Sequence, residues 1–443
     1  MTSIKEKLEQ IKQGKLTAEK NVFNFGEKIK KLNKELNIYL SLNEEAIEQA
    51  KEIDARIKAK KDVGKLAGIC MAVKSNISVK GMENNCASKV LEGYISGYDA
   101  SVIEKLKNED VIILGMTNMD EFACGSSGET SAFGPTKNPV NKELIPGGSS
   151  SGSAAAVAAE MCDFALGSDT GGSVRDPASN CGIVGLKPSY GAVSRYGLID
   201  MCMSIEGIGI LSQKVEDAKY VFDIIKGQDN FDTTSKNQEK KDKKQLILGL
   251  VNVEDFCDKE IADLIKERTR EVAVKNGWKI KDISLPLDIA LEAYYILVYT
   301  EFFSTTRKFD GRRFGKKVED VCGVEVLRRI LGGSEISKAE YHGKYYRDAL
   351  KAKAFVKKQF EKLFEEVDLI ILPTVPKTPH KIGEKISVKE MYAYDVFTLP
   401  ANLGGICGIS IPCGKVDKKP VGIQIFAPQL QDDFLLEQAK KFE

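Results

Sequence analysis

The chain has 443 residues, of which 42% are hydrophobic, enough to bury one large core or the cores of two domains. Its 65 basic and 64 acidic residues give a formal net charge of +1, so no overall field is available to hold a polyanion such as nucleic acid. The sequence contains no run of about eighteen apolar residues, so no transmembrane helix is predicted. The charged N-terminus MTSIKEKLEQIKQGK lacks the apolar centre of a secretory signal, which favours a cytoplasmic location.

The first 62 residues are predicted to form an N-terminal helical layer. Apolar side chains recur there at helical spacing after Asn43, a possible N-cap: Ala46, Ile47, Ala50, Ile53 and Ile57. We expect this layer to pack across the following segment as a lid or brace.

From residue 63 the pattern becomes that of an α/β protein. Buried strands are predicted for LAGICMAVK and VIILGMT, with the helix VIEKLKNED between them. A second strand–helix–strand unit is predicted for QLILGLVNV, residues 259–276 and WKIKDIS. We expect parallel strands joined by right-handed crossovers.

These elements predict one intertwined domain with an insertion. Residues 63–226 form the core with the catalytic residues, and residues 227–366 form an inserted lobe of helical and α/β character. Residues 367–443 contribute strands, including DLIILPTVP, GISIPCG and VGIQIFAP, that complete the core sheet. The polar segment 227–244 is expected to be a solvated loop between the two lobes.

Cysteine and histidine usage limits the possible chemistry. Ten cysteines are scattered singly, without a CxxC pair or zinc spacing, and we expect them to be reduced, buried and apolar in character. Only two histidines occur, His342 in a polar helical stretch and His380 in a Pro-rich loop. Neither has a catalytic pattern around it, and we expect both to be solvated. A Ser-His-Asp triad has little support, and no metal site is predicted.

A Gly/Ser tract, IPGGSSSGSAAAVAAE, follows the first strands. It is not a phosphate-binding loop, because GGSSSGS has serine where that motif requires lysine. Gly/Ser tracts are usually flexible linkers. This one runs directly into SAAAVAAE, whose small residues favour a helix that lies close against a neighbouring backbone.

The sequence Thr170-Gly171-Gly172-Ser173 has the residue types of an acyl-transfer site. Two glycines let successive N–H groups converge beside a serine hydroxyl, and loss of one such oxyanion donor costs about 3 kcal/mol. Taken alone, GGS is common in turns. Without a histidine base, however, a serine needs another proton acceptor. A lysine can serve if burial lowers its pKa, and a second serine can relay the proton.

The segments PGGSSSGSAAAVAA and GSDTGGSVRDPAS resemble the amidase signature family, and the pattern extends from about residue 66 to the C-terminus. The resemblance implies an amidase-signature fold, with a large mixed β-sheet covered by helices on both faces. It implies that Lys74 is the base, that Ser149 is a relay serine after a cis peptide bond, and that Ser173 is the nucleophile of an acyl-enzyme. The implied oxyanion hole consists of the N–H groups of Thr170, Gly171, Gly172 and Ser173.

Further segments resemble one branch of that family, the A subunits of tRNA-dependent amidotransferases: MTNMDEFACGSSGETSAFGPTKNP, SRYGLIDMCMSIEGIGIL, KFDGRRFG, RRILGG and YDVFTLPANLGG. The resemblance implies a glutaminase that supplies ammonia for conversion of Glu-tRNA(Gln), Asp-tRNA(Asn) or both to the amide form. The implied partners are a B subunit, which uses ATP and Mg²⁺ to activate the tRNA-borne carboxylate, and a small C subunit that clamps the heterotrimer. No cofactor is implied for this chain, and tRNA contact is indirect.

The resemblance also concerns glutamine binding. Asp395 matches the family acid that binds the α-amino group; alternatively it caps the turn before Pro400. The arginine that binds the carboxylate falls on Lys353 here, and lysine keeps the charge but loses the bidentate fork. Arg347 is a possible substitute, and Lys353 could instead be an exposed helix charge.

Two further pairs flank these residues. Gly125 and Ser126 resemble a wall of the family's substrate pocket. Arg175 and Asp176 directly follow the nucleophile, and we expect them to pin its loop through an ion pair. Two alternative functions remain open from the sequence: a stand-alone amidase that acts on a small amide, and a non-catalytic scaffold that has kept the fold.

Overall fold

A single mixed β-sheet runs through residues 2–443, the part of the chain that the computed structural model describes. Its eleven strands are β1 (Tyr39–Leu42), β2 (Cys70–Lys74), β3 (Ile112–Thr117), β4 (Phe164–Asp169), β5 (Val184–Lys187), β6 (Gly207–Ser212), β7 (Ile247–Val251), β8 (Lys279–Ile283), β9 (Leu369–Pro373), β10 (Cys407–Val416) and β11 (Lys419–Ala427). They lie in the order β1-β3-β2-β4-β6-β5-β10-β11-β9-β7-β8. The predicted α/β class and mixed sheet are confirmed.

Fifteen α-helices accompany the sheet in the described residues: α1 (Ile4–Lys12), α2 (Ala18–Leu36), α3 (Ala46–Lys58), α4 (Ser101–Lys107), α5 (Ser151–Ala158), α6 (Arg175–Cys181), α7 (Val215–Ile225), α8 (Lys259–Asn276), α9 (Leu287–Thr306), α10 (Val318–Val321), α11 (Val324–Ile336), α12 (Lys344–Glu366), α13 (Val388–Ala393), α14 (Leu399–Gly404) and α15 (Asp432–Ala439). None of these helices is long and apolar enough to cross a bilayer.

Helices cover both faces because strand side chains alternate between two cores. In β9, Leu369 and Ile371 belong to a core that includes residues of α7, α8 and α15. Ile370 and Leu372 point the other way, into a core built with α9 and α12. Both faces of the central strands are therefore buried.

The strands are parallel in part and antiparallel in part. The pairs β2–β3, β2–β4, β7–β8 and β7–β9 are parallel, whereas β4–β6, β5–β6, β5–β10, β10–β11, β9–β11 and β1–β3 are antiparallel. Because β2 and β4 are parallel neighbours, with Val73 opposite Leu166, their carboxyl ends meet at one edge of the sheet. Lys74 ends β2 there, and Asp169 ends β4.

The Gly/Ser tract leads into α5, which lies against backbone as the small residues predict. A Cβ added at Gly152 would lie 2.6 Å from the carbonyl oxygens of Asn118 and Ile38. The Gly152 N–H donates to the Asn118 carbonyl at 3.0 Å. The close-packing interpretation is confirmed, and the linker alternative is wrong.

The N-terminal segment differs from the prediction in two details. Strand β1 interrupts the helical layer and pairs with β3, and four residues are too few to show a strand period. The N-cap of α3 is Glu45, while the Asn43 side chain accepts the Glu45 N–H at 3.0 Å and forms the preceding turn. Residue 1 of the predicted layer lies outside the described residues.

The two histidines were predicted to be solvated, and the ten cysteines were predicted to be buried. His342 is exposed, and its positive φ of 48° separates the predicted helix into a short turn and α12. His380 is only 16% exposed and lies 3.6 Å from a Glu129 carboxylate oxygen, so its predicted solvation is wrong. All ten cysteines are free; the predicted burial is confirmed for seven of them, and the other three are only partly buried.

The polar segment 227–244 is anchored in its first half. The Asp229 carboxylate accepts the hydroxyl of Ser101, and Asp232 forms an ion pair with Arg195. The expectation of a wholly solvated loop is therefore wrong for this half. Beyond the segment, β7 and β8 extend the same sheet at its edge next to β9.

The close contact of α5 with neighbouring backbone leads to a prediction about the stability of the fold. We expect Gly152→Ala to destabilise the fold by about 1–3 kcal/mol, because the new methyl group must displace main-chain atoms on two sides. Gly26→Ala is the matched control, since a Cβ there meets nothing within 4 Å on an exposed turn of α2. The control should stabilise by about 0.5–1 kcal/mol. Urea unfolding followed by circular dichroism measures both; equal effects would contradict the packing argument.

Candidate active site

A buried lysine amine stands at the carboxyl end of β2. The Lys74 Nζ lies 2.7 Å from Ser149 Oγ, 2.9 Å from Ser150 Oγ and 2.9 Å from Ser168 Oγ. No carboxylate in residues 2–443 forms an ion pair with it. Burial therefore lowers the pKa of Lys74 to about 7, although Asp120 and Asp169 act in the opposite direction. A neutral amine has a lone pair, which can accept a hydroxyl proton.

The Ser149 backbone is held by Asp120, which the sequence analysis did not single out. The Gly148–Ser149 peptide bond is cis, and the Asp120 N–H donates to the Ser149 carbonyl at 3.2 Å. A Cβ at Gly148 would lie 1.9 Å from an Asp120 carboxylate oxygen, so only glycine fits. The same carboxylate accepts the N–H of Gly128 at 3.0 Å and the hydroxyl of Thr130 at 2.8 Å.

The predicted pocket wall adjoins this carboxylate. A Cβ at Gly125 would lie 2.6 Å from the Asp120 Cγ, and Ser126 is buried. The structure thus places Gly125 beside the carboxylate of Asp120, the residue whose N–H donates to the Ser149 carbonyl.

Ser173 adjoins the turn of Ser149 and Ser150, two of the three serines that contact Lys74. The Ser150 N–H donates to the Ser173 carbonyl at 3.1 Å, which ties the turn before α5 to the turn before α6. The Ser173 side chain takes part in no hydrogen bond within the described residues. Its hydroxyl is therefore not held by another side chain, and the relay from Ser173 to Ser149 remains a prediction.

The predicted oxyanion loop differs at one position. The Gly172 N–H donates to Asp169 Oδ1 at 2.9 Å, so the expectation that it is a free oxyanion donor needs correction. The N–H groups of Thr170, Gly171 and Ser173 donate to no acceptor among residues 2–443. At Gly172, φ is +136° and a Cβ would lie 2.4 Å from the hydroxyl of Thr398.

The loop is pinned by Asp169, not by Asp176 as predicted. Arg175 donates to both Asp169 carboxylate oxygens, at 3.0 and 2.9 Å. Its remaining donors bind the Thr398 carbonyl, Gln424 Oε1 and Asn402 Oδ1 at 2.6–2.9 Å. Burial would raise the pKa of Asp169, but the Arg175 guanidinium and its hydrogen bonds hold it well below its usual range. The Asp176 carboxylate instead accepts from the Asn180 side chain at 2.9 Å.

Asp395 adjoins the loop of the predicted nucleophile, Ser173, through Thr398, a contact that the sequence analysis missed. The Thr398 hydroxyl lies 2.5 Å from the Gly171 carbonyl and 2.9 Å from the Asp395 carbonyl. The Asp395 carboxylate accepts no hydrogen bond from the described residues, so its side chain caps no turn. Burial raises its pKa to about 8, although Arg329 opposes the rise. A positive charge placed beside this carboxylate would lower its pKa again.

Lys353 and Arg347 lie outside this arrangement. Lys353 is half-buried, and its Nζ donates to the Ser204 carbonyl at 2.7 Å, where it supports the loop before β6. The alternative of an exposed helix charge is therefore wrong. Arg347 is exposed and donates to the His342 carbonyl, so it does not replace the missing arginine.

A family model described as Amidase matches residues 20–436 of the chain. The chain belongs to the amidase family. Among its relatives, the A subunit of the glutamyl-tRNA(Gln) amidotransferase of Methanocaldococcus jannaschii is 52% identical over 423 residues, or 94% of this chain and 97% of that protein. The protein of the same name from Methanothermobacter thermautotrophicus is 48% identical over 97% of this chain and 96% of its own length.

A solved member of the amidase family is also similar in fold. The crystal structure of the glutamyl-tRNA(Gln) amidotransferase A subunit from Thermotoga maritima superposes with a TM-score of 0.82 at 35% identity. The match covers 96% of this chain and 91% of that one.

The Asp169–Arg175 pair makes a second stability prediction. We expect Arg175→Met to destabilise the fold by about 3–5 kcal/mol, because Asp169 is left charged and buried without a partner. Lys28→Met removes the exposed ion pair with Glu160, in which both side chains are nearly half exposed, and should cost less than about 1 kcal/mol. Thermal unfolding of both variants provides the comparison. An Arg175→Met loss as small as that of the control would refute the assigned role.

Proposed function

We propose that the chain is the glutaminase subunit of a tRNA-dependent amidotransferase. In this proposal it hydrolyses the side-chain amide of glutamine and delivers ammonia for ATP-dependent conversion of Glu-tRNA(Gln), Asp-tRNA(Asn) or both to Gln-tRNA(Gln) or Asn-tRNA(Asn). The observation that carries the proposal is the buried Lys74 amine, held near neutrality and in contact with Ser149 beside the Ser173 turn. The amidotransferase relatives support the choice of glutamine.

The proposed chemistry passes one proton along the three residues. Neutral Lys74 accepts the Ser149 hydroxyl proton while Ser149 accepts that of Ser173, and the Ser173 oxygen attacks the amide carbon. The free N–H groups of Thr170 and Gly171 stabilise the oxyanion. The proton returns along the same path to the leaving nitrogen, and ammonia departs. Water then attacks the acyl-enzyme, which releases glutamate and restores the Ser173 hydroxyl.

Asp395 binds the α-ammonium group of glutamine in this proposal. Its carboxylate has no hydrogen-bond donor in the described chain and lies one contact from the nucleophile loop through Thr398. An ammonium group would favour the charged form of Asp395 and so lower the pKa that burial raises.

The remaining steps belong to partners. We propose a heterotrimer in which a B subunit uses ATP and Mg²⁺ on the tRNA-borne carboxylate, while a C subunit clamps the two larger subunits. The chain itself needs no cofactor, and its net charge of +1 suits a protein that contacts tRNA only indirectly. A cytoplasmic location follows from this role in protein synthesis.

Replacement of the nucleophile separates the two halves of the proposal. In the reconstituted complex, Ser173→Ala should reduce glutamine hydrolysis by at least about 10³-fold. The same variant should still amidate tRNA from ammonium salts, because only the ammonia source is lost. Ser212→Ala is the control and should keep both activities. This buried serine donates to the Lys214 carbonyl and pairs with Phe164, at the opposite end of β4 from Asp169.

Two results would contradict the proposal. Glutamate release by Ser173→Ala at the normal rate would refute the nucleophile. Glutaminase activity in a chain that neither binds B- and C-type subunits nor supports tRNA amidation would favour the alternative, a stand-alone amidase.

The pKa of Lys74 makes a pH prediction. With a pKa of about 7, the amine is neutral above that pH and protonated below it, so kcat should fall about tenfold per pH unit on the acid side. The parameter to measure is kcat, because bound ammonium then occupies Asp395 and keeps it charged. A kcat that stays constant from about pH 8 to about pH 5 would exclude lysine as the base.

A further inference from the structure

The buried Lys74 amine gains a positive charge in the proposed relay, at the moment when it accepts the Ser149 proton. Its hydrogen-bond partners in residues 2–443 are uncharged: the hydroxyls of Ser149, Ser150 and Ser168, and the Ser168 carbonyl. A buried cation is costly unless a negative charge lies near it. The proton transfer therefore needs a carboxylate that acts on Lys74 without touching it.

Two buried carboxyl groups adjoin the cis peptide bond that leads to Ser149. A Cβ added at Gly148 would lie 1.9 Å from an Asp120 carboxylate oxygen. The Gly148 N–H also lies 3.5 Å from Asp176 Oδ2. Both carboxyl groups thus adjoin the residue that directly precedes Ser149.

Strand pairing brings Asp120 to this position. Strands β2 and β3 are parallel, with Lys74 opposite Thr117, and Asp120 follows Thr117 by three residues. The Asp120 N–H then donates to the Ser149 carbonyl at 3.2 Å. The same residue therefore fixes the Ser149 backbone and places a carboxylate against Gly148.

The hydrogen bonds of Asp120 are those of a charged carboxylate. Its oxygens accept the N–H groups of Gly128 and Thr130 and the Thr130 hydroxyl at 2.8–3.1 Å, and they donate to no group among residues 2–443. A protonated carboxyl group would need an acceptor. Burial raises the pKa of Asp120, but these hydrogen bonds and Lys74 oppose the rise.

Asp176 differs in its partners. Its carboxyl group accepts the Asn180 amide at 2.9 Å and the more distant Gly148 N–H. Burial, reinforced by the charge of Asp395, raises the pKa of Asp176 well above its usual range. Asp120 is therefore the charged member of the pair, and Asp176 is the neutral one.

The other acidic groups that act on Lys74 supply less charge. The Asp169 charge is offset by Arg175, which donates to both carboxylate oxygens. Burial raises the pKa of Glu206 to about 7 and also raises that of the Cys86 thiol, which stays protonated. Besides Lys74, Asp120 affects the pKa of three further groups: Cys124, Asp176 and Asp395.

We propose that Asp120 is a positioning residue of the relay, which holds the Ser149 turn and supplies the negative charge that stabilises Lys74 once the proton has arrived. This inference rests on the proposed relay of Lys74, Ser149 and Ser173. Asp120 is thus the third group that supports the base, as acyl-transfer sites often require, but it acts through space and past Gly148. Without its charge, Lys74 is a weaker base.

The test replaces Asp120 by asparagine, which has nearly the same shape but no charge. Of the charges near Lys74, Asp120 raises the pKa of the amine most, so Asp120→Asn should lower that pKa. In the full complex, kcat for glutamine at about pH 8 should fall by about 10- to 100-fold, because a weaker base accepts the proton less readily. KM should change by less than about threefold.

The decisive measurement is the acid limb of the kcat profile, where kcat falls as the pH decreases. Its midpoint should move to lower pH by at least about half a unit in Asp120→Asn, because Lys74 then stays neutral further into acid. A role of Asp120 in folding alone would lower kcat at every pH and leave the midpoint unchanged. That result would overturn the inference.

Two variants serve as comparisons. Thr130→Val removes a hydroxyl that donates to the Asp120 carboxylate but leaves the carboxylate itself in place. Asp176→Asn removes the neutral carboxyl group on the same turn. Both should keep the wild-type midpoint, whatever their effect on the rate. A shift in Asp176→Asn as large as that in Asp120→Asn would contradict the assignment of the charge to Asp120.

A second readout separates this inference from the proposed function. A fluorophosphonate reagent that modifies the Ser173 hydroxyl needs no glutamine, and its rate should have the same acid limb. If the wild-type complex does not hydrolyse glutamine but Asp120→Asn shifts this limb, the proposed function fails and the inference stands. If glutamine is hydrolysed and neither limb shifts, only the inference fails. A Ser173 that does not react would overturn both.

The inference can also be tested if Asp120→Asn does not fold. Asp120→Ser removes the charge with a smaller side chain, which avoids a collision with Gly148. A midpoint shifted to lower pH in this variant would support the inference, and an unchanged midpoint would overturn it.

Discussion

The desolvation of one amine is the constraint on which the site depends. Lys74 is enclosed by serine hydroxyls and a carbonyl, without an ion-pair partner in residues 2–443, and water is excluded from it. Small residues line that enclosure: Ser149 and Ser150 in the turn before α5, and the Ser and Gly with which α5 begins. A larger residue at Gly148 or Gly152 would collide with neighbouring atoms. The close packing around α5 therefore also sets the chemistry of the amine.

Three buried ionisable side chains differ in the partners that surround them. Lys74 is left without a counterion and becomes neutral near pH 7. Asp169 receives a complete set of partners from Arg175 and stays charged. Asp395 accepts no hydrogen bond from residues 2–443, and burial shifts it towards its neutral form. Burial alone thus does not determine the ionisation state; the available hydrogen-bond and ion-pair partners decide whether a buried group is charged or neutral.

Much of this arrangement could be predicted from the sequence, because the strongest signals are local. Helix α8 begins and ends at the predicted residues. Its pattern of apolar residues stops before Gly277, which ends the helix in the left-handed conformation. The approach of Lys74 to Ser149 followed from a resemblance that spans most of the chain. The errors lie where partners are distant in sequence. Arg175 has carboxylates on both sides, and only the fold shows that Asp169 is its partner.

The turn that contains Ser173 is held in place by residues near the C-terminus. Arg175 binds Thr398, Asn402 and Gln424, and β10 pairs with β5 directly after α6. During translation, Lys74, Ser149 and Ser173 leave the ribosome long before those partners are synthesised. Until then the Arg175 guanidinium lacks most of its acceptors and the sheet lacks its centre. A nascent chain therefore has all three proposed catalytic residues before it has the side chains that hold the turn of Ser173 in place.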